Sequence, residues 1–314
     1  MLNLQRKTVL VTGGSGFLGK HVVNRLWQEG AIVTVPRSSG YDLTERTDVD
    51  SLYEDSRAKI VIHLAAVCGG IGANQKRPAD FFYQNLIMGA HMIDAAQDHG
   101  VEKFVQVGTV CSYPKFAPVP FKEDDLWNGY PEETNAPYGI AKKALLVQCQ
   151  AYRQQYGLNA IYLLPVNLYG PGDNFDLETS HVIPALIRKC LEAKAEGKPY
   201  VSVWGSGSAW REFLYVEDCA DAIVKALQNY DGAEPVNIGS GHEVAMFDLV
   251  SNIKVATGYV GATLYDQCKP DGQPRRQLDT SRAKELFGFQ ASTELWDGLQ
   301  RTVKWYEKNS DLHK

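Results

Sequence analysis

Val9-Leu10-Val11-Thr12-Gly13-Gly14-Ser15-Gly16-Phe17-Leu18-Gly19 is the stretch that decides the fold of this 314-residue chain. A β-prone run leads into glycines spaced three apart at 13, 16 and 19, and an amphipathic segment follows, which reads as strand, tight turn and helix. The first glycine makes the turn, the second lets backbone approach a pyrophosphate, and the third packs helix on strand. The helix start also aims its unpaired N–H groups at negative charge. Gly13, Gly14, Ser15, Gly16, Phe17, Leu18 and Gly19 are therefore candidate cofactor-binding residues. The competing reading, an empty tight turn, is disfavoured by the strand-turn-helix context.

Outward from this turn, β-branched runs alternate with longer amphipathic stretches: Ile32-Val33-Thr34-Val35, Ile60-Val61-Ile62, Phe104-Val105-Gln106-Val107 and Ile161-Tyr162-Leu163-Leu164. Strands separated by helices imply right-handed crossovers and a parallel sheet covered on both faces. The expected class is α/β, a doubly wound parallel sheet of the Rossmann type. After Gly170-Pro171-Gly172 the alternation weakens; helices are expected near 182–194 and 217–229, and a strand near 235–239. Residues 1–172, with a returning segment near 213–240, are read as the dinucleotide-binding domain. Residues 173–314 are read as mainly a smaller, discontinuous substrate-binding lobe, with a cleft between the two.

Composition narrows the partners. The chain has 32 Lys and Arg against 37 Asp and Glu, a net charge of −5, and no basic run, which argues against nucleic acid and anionic membranes as partners. No apolar run approaches the roughly 20 residues that span a bilayer. Thr8 to Thr12 is too short for a signal peptide's apolar core and reads as a strand. The six cysteines show no CxxC pair and no zinc spacing, so reduced thiols, no metal and a cytoplasmic location are expected.

Two further segments speak to chemistry. The second strand ends Val35-Pro36-Arg37-Ser38-Ser39, where an acidic residue would bind the ribose hydroxyl of NAD; a cation with hydroxyls suits the 2′-phosphate of NADP(H). The alternative for Arg37 is a solvated loop cation. In Pro137-Tyr138-Gly139-Ile140-Ala141-Lys142, Tyr138 and Lys142 share one helix face, so the ammonium is expected to draw the phenol's pKa down from about 10 and make it a general acid. Thr109, just after the strand ending at Val107, is placed to hydrogen-bond a carbonyl and share that proton.

Thr12 to Gly19, His63-Leu64-Ala65-Ala66, Tyr138 to Lys142 and Asn167-Leu168-Tyr169-Gly170-Pro171 together resemble the extended short-chain dehydrogenase/reductases, the nucleotide-sugar epimerases and dehydratases. Val67 to Ile71, Cys111 to Lys115, Gly170 to Phe175 and Ser180 to Leu186 are similar to one branch, the bifunctional 3,5-epimerase/4-reductases of GDP-4-keto-6-deoxy-D-mannose. That resemblance implies NADP(H) bound also by Leu64, Ala65, Ala66, Val107, Lys142, Pro165, Asn167, Leu168 and His181. It implies Cys111 and His181 as the acid/base pair, beside the catalytic Tyr138, Lys142 and Thr109. Asn167, Lys189, Trp204, Arg211, Asp271 and Arg276 would bind substrate, the three cations taking the GDP diphosphate, and the assembly would be a homodimer. Read singly, Cys111 is equally a buried thiol, His181 a helix cap, and each cation a solvated surface charge.

Two positions depart from the branch: Thr109 stands where serine is usual, with Val110 after it, and Lys189 stands where an arginine is expected. They keep open a related GDP-deoxysugar or GDP-heptose, or a redox-neutral epimerase that retains NAD. A non-catalytic nucleotide sensor is the reading from a different class.

Overall fold

The computed structural model describes residues 1–269 and 271–309. Its strands are β1 (Thr8–Thr12), β2 (Ile32–Thr34), β3 (Ile60–His63), β4 (Lys103–Val107), β5 (Ala160–Pro165), β6 (Asn167–Tyr169), β7 (Tyr200–Trp204), β8 (Trp210–Tyr215), β9 (Val236–Ile238), β10 (Glu243–Ala245), β11 (Ala262–Asp266) and β12 (Arg275–Arg276). Its helices are α1 (Phe17–Gln28), α2 (Arg46–Ser56), α3 (Ile71–Lys76), α4 (Pro78–Asp98), α5 (Ala136–Tyr156), α6 (Val182–Ala195), α7 (Val216–Asn229), α8 (Met246–Thr257), α9 (Ser281–Phe287) and α10 (Leu295–Asn309).

The main sheet runs β2-β1-β3-β4-β5-β9 with every neighbouring pair parallel. Strands β3, β4 and β5 are buried along their whole length, as expected of a parallel sheet sandwiched by helices. The chain passes from β1 to β2 on one side and returns to β3 on the other. The crevice at this reversal opens beyond the C-terminal ends of the strands, where an open α/β sheet binds its ligand. There Thr12 Oγ1 and His63 Nδ1 lie 2.7 Å apart, and burial pushes the imidazole down to about 3, so the pair is a neutral, satisfied polar contact.

A second core lies apart from this sheet. Phe175, Ile183, Ile187, Val201, Val203, Leu249, Ile253, Leu299 and Val303, from α6, β7, α8, α10 and the loop before α6, cluster together. Two small sheets accompany it, β10-β8-β12 and β11-β7, and β6 pairs with β8. Helix α7 and strand β9 pack in the first core, whereas Phe213 and Tyr215 of β8 pack in the second. Leu278, Ala283, Phe287 and Phe289 join the first core as well, although that stretch was assigned to the second lobe. The reason is that α9 is short and packs on α7 and β9, so its few apolar residues find the nearer core. Pro270 and the last five residues of the 173–314 segment lie outside the described residues. No helix among the described residues is long and apolar enough to cross a membrane.

Candidate active site

The glycine turn is a cradle in which side chains do not fit. Gly13 holds φ +69°, and a Cβ there would lie 2.7 Å from the Ala65 nitrogen. A Cβ on Gly19 would collide with the Gly13 carbonyl and lie 2.6 Å from the Gly14 Cα. Helix α1 begins at Gly16 with no side-chain cap, which leaves its first-turn N–H groups toward the cleft. We expect Gly19→Ala to cost about 1–3 kcal/mol of stability through overpacking and to weaken NADPH binding; urea midpoints with and without NADPH measure both.

A single cleft of about 930 Å³ runs from this cradle to the second lobe, and its wall contains every candidate site residue except Gly14. Gly14 faces away from it: its Cα backs onto the Val35 side chain, 2.9 Å from where a Cβ would stand. The side-chain position of Gly14 is thus closed by packing of the turn on the residue that follows β2. Arg37 and Ser38 lie at the cradle end, and no hydrogen bond or ion pair ties the Arg37 guanidinium to another described residue. A backbone cradle that excludes side chains, an open helix terminus and an uncommitted guanidinium together fit a dinucleotide carrying a 2′-phosphate.

Helix α5 carries Tyr138 and Lys142 into the middle of the cleft. It lies tight on the turn after β4 because residue 139 is glycine: a Cβ there would collide with the Cys111 carbonyl, and Ser112 Oγ donates to the Gly139 carbonyl at 2.9 Å. Thr109 caps that turn, its Oγ1 accepting from the Cys111 N–H at 3.2 Å, and its hydroxyl lies toward the Tyr138 phenol, whose pKa it draws down slightly against the larger rise from burial. The Phe81 ring packs edge-on against Tyr138, with centroids 6.3 Å apart.

The expected lowering of the phenol's pKa is corrected here. Burial dominates and pushes Tyr138 well above 10, with the nearby Cys68 and Cys111 adding to the rise. Lys142 is itself pushed down to about 8 by burial, and its ammonium donates to the Val107 carbonyl at 3.3 Å. Tyr138 is thus held as a protonated phenol, which is the form that gives up a proton.

His181 stands at the N-cap of α6 but makes no side-chain capping bond. It lines the cleft with solvent access, and desolvation there and then the charge of Arg276 push the imidazole below its ordinary range, which favours the neutral, proton-accepting form near pH 7. Arg276 was expected at the diphosphate, yet its Nη1 lies 3.9 Å from the Cys111 sulfur and 3.2 Å from Asn167 Oδ1. It therefore joins the proton-transfer groups to the cationic end of the site.

Beside it, Arg211 donates to the carbonyls of Trp210, at 2.8 Å, and Asp271, at 2.7 Å; burial and then the charge of Arg276 push it down to about 9. Asp271 accepts from the Ser206 backbone and hydroxyl, at 2.7 and 2.8 Å, and so holds the loop after Trp204. Lys189 reaches the cleft wall and donates to the Ser202 carbonyl at 3.1 Å, whereas Arg188 turns away to Glu192 and the Phe175 carbonyl. The Trp204 ring is half exposed, with the Lys269 ammonium 4.9 Å from its centroid.

Three residues escaped the sequence reading. Cys68 lines the cleft with its residue exposed, and desolvation by the surrounding wall pushes its thiol up. Asp173 is buried, is pushed up to about 7, and has one carboxyl oxygen without a hydrogen-bond partner. Glu212 is fully buried and also raised to about 7 by burial. An acidic residue inside a β-prone run, Arg211-Glu212-Phe213, was the available signal for the last. No cluster of His, Cys, Asp and Glu able to hold a metal occurs among the described residues.

This chain belongs to the NAD dependent epimerase/dehydratase family, whose model matches residues 9–239. Within it, the chain is 45% identical to GDP-L-fucose synthase 1 of Arabidopsis thaliana, across 96% of this chain and 93% of that one. Among solved structures, a GDP-6-OMe-4-keto-L-xylo-heptose reductase of Campylobacter jejuni superposes with a TM-score of 0.92 at 27% identity, covering 98% of this chain and 99% of that one. A GDP-L-fucose synthetase of Naegleria fowleri bound to NADP gives a TM-score of 0.88 at 29% identity, covering 98% and 96%.

Proposed function

We propose that this chain converts GDP-4-keto-6-deoxy-D-mannose into GDP-L-fucose, epimerising C3 and C5 and reducing the C4 ketone. It is an NADP(H)-dependent nucleotide-sugar epimerase/reductase of the family its sequence defines. The observation that carries the reading is one cleft holding both a ketone-reducing set, Thr109, Tyr138 and Lys142, and a second acid/base set, Cys111 and His181. A plain reductase has no use for the second set.

In this reading the hydroxyl of Thr109 and the phenol of Tyr138 hold the C4 oxygen. Drawing charge onto that oxygen acidifies the protons on the carbons beside the ketone. One of Cys111 and His181 removes such a proton and the other returns one from the opposite face, so the centre inverts. The bound nicotinamide supplies hydride to C4 when present. Tyr138 then gives its proton to the C4 oxygen, and Lys142 holds the phenol end of the cleft electropositive. Arg211, Arg276 and Lys189 take the diphosphate, with Trp204 and Asp271 shaping the far wall. We extend the reading to a cytoplasmic homodimer; a monomer mass in light scattering would remove the dimer.

The test is nicotinamide oxidation with GDP-4-keto-6-deoxy-D-mannose, with the product identified by NMR. Formation of GDP-L-fucose is the expected result. A mixture lacking it, with turnover on a GDP-4-keto-heptose instead, would transfer the assignment to the heptose reaction named for the Campylobacter relative. Arg37 gives a separate prediction. A charge-assisted bond to the 2′-phosphate is worth about 1.5–3 kcal/mol, so Arg37→Ala should reduce the preference for NADPH over NADH by roughly 10–100-fold. Comparing kcat/KM for the two cofactors checks it.

A further inference from the structure

Two guanidinium groups at the second-lobe end of the cleft, those of Arg211 and Arg276, are held in an arrangement that opposes itself. Strand β12 pairs with β8 in parallel, and Arg276 is the register partner of Arg211. Like charges directly opposite on neighbouring strands repel. Their hydrogen bonds go to carbonyls, side-chain amides and the Cys111 sulfur, and neither forms an ion pair with a described residue. Strand β12 has only two residues, so its own ladder is too short to hold Arg276 against that repulsion.

Glu212 supplies the missing hold. It lies on β8 at the point where the strand's partner changes: Arg211 faces Arg276 of β12, and Phe213 faces Asn167 of β6. Its side chain is completely buried. Oε2 accepts from the Leu278 N–H at 2.6 Å, two residues beyond Arg276, and Oε1 accepts from the Gly241 N–H at 2.8 Å and the Ser240 hydroxyl at 3.3 Å. Its backbone carbonyl accepts from Asn167 Nδ2 at 3.2 Å, and Asn167 Oδ1 in turn accepts from Arg276 at 3.2 Å. A buried carboxylate with no cationic partner is costly, and here backbone donors from two separate segments offset that cost.

We propose that Glu212 is a positioning residue that locks Arg211 and Arg276 side by side to receive the diphosphate of a nucleoside-diphosphate substrate. This rests on the functional reading above, in which those two cations face the GDP part of the ligand. Glu212 touches no ligand itself; because strand side chains alternate, it works from the face opposite Arg211.

The test uses GDP and NADPH as separate probes of the whole protein in titration calorimetry. Glu212→Gln keeps the shape but puts an NH₂ against a backbone N–H donor. Gly239→Ala reaches the same carboxylate from the other side, since a Cβ there would collide with Glu212 Oε1. Both variants are expected to weaken GDP at least about 10-fold, the loss of one charge-assisted bond, with NADPH affinity changed less than about 2-fold. Unchanged GDP affinity in either folded variant would overturn the proposal. So would equal losses for both ligands, or failure of both variants to fold, which would make Glu212 a stability residue. A parent protein that binds no GDP would overturn the functional reading together with this one; a parent that binds GDP while the variants match it overturns this one alone.

Discussion

Cys111→Ala is expected to stop solvent deuterium entering C3 and C5 of the keto-sugar, with a loss of about 10²–10⁴-fold, the range for removal of a general acid or base. The thiol is set by rigid neighbours. Its N–H is capped by Thr109, its carbonyl abuts Gly139 of α5, and its sulfur has the Arg276 guanidinium 3.9 Å away. Alanine preserves the backbone of this turn, so the protein should fold and bind NADPH as before. The measurement is NMR of the substrate in D₂O with the oxidised cofactor, which isolates exchange from reduction. Deuterium incorporation at the parent rate would remove Cys111 from the acid/base pair and leave its role to other cleft groups.

Tyr138→Phe tests the other half of the reaction. Reduction at C4 should fall by about 10²–10⁴-fold, because the proton for the alkoxide oxygen is lost while the cleft shape is kept. Burial holds this phenol protonated far above neutral pH, so at pH 7 the parent group is a loaded donor and its activity should not fade through partial ionisation. Exchange at C3 and C5 should persist at a reduced rate, since Thr109 still bonds the C4 oxygen and Cys111 and His181 are untouched. The signature is an epimerised 4-keto sugar that accumulates with little nicotinamide oxidised. Equal losses of exchange and reduction would instead make Tyr138 the main support of the enolate.

Reciprocal behaviour of these two variants would divide the cleft into an exchanging half and a reducing half. Arg276 is the physical link between them. It approaches Cys111, depresses His181 and stands beside Arg211, so in the proposed reaction diphosphate binding and proton transfer would share one cation. The substitution of lysine at position 189 matters less in this arrangement than its type suggests, because its ammonium is anchored on the Ser202 carbonyl at the cleft wall while Arg211 and Arg276 hold the centre.

What the sequence alone determined is what local chemistry dictates. Glycines spaced three apart at 13, 16 and 19 specify a tight turn between strand and helix, and β-branched runs with amphipathic spacers specify a parallel sheet. Tyr138 and Lys142 share a helix face by spacing alone, and the loop motifs around Cys111 and His181 identify the branch. Only the tertiary structure decided the quantities that depend on distant neighbours. Burial reversed the expected shift at Tyr138, because desolvation raises the phenol while the Lys142 ammonium is itself desolvated and bonded to the Val107 carbonyl. Packing against Val35 closed the side-chain position of Gly14. The β8–β12 register set Arg276 opposite Arg211 and near Cys111, and Glu212 acquired its bonds to residues 240, 241 and 278 only when those segments met. Charge, desolvation and long-range pairing are properties of the assembled neighbourhood, and residue order sets them only through the fold.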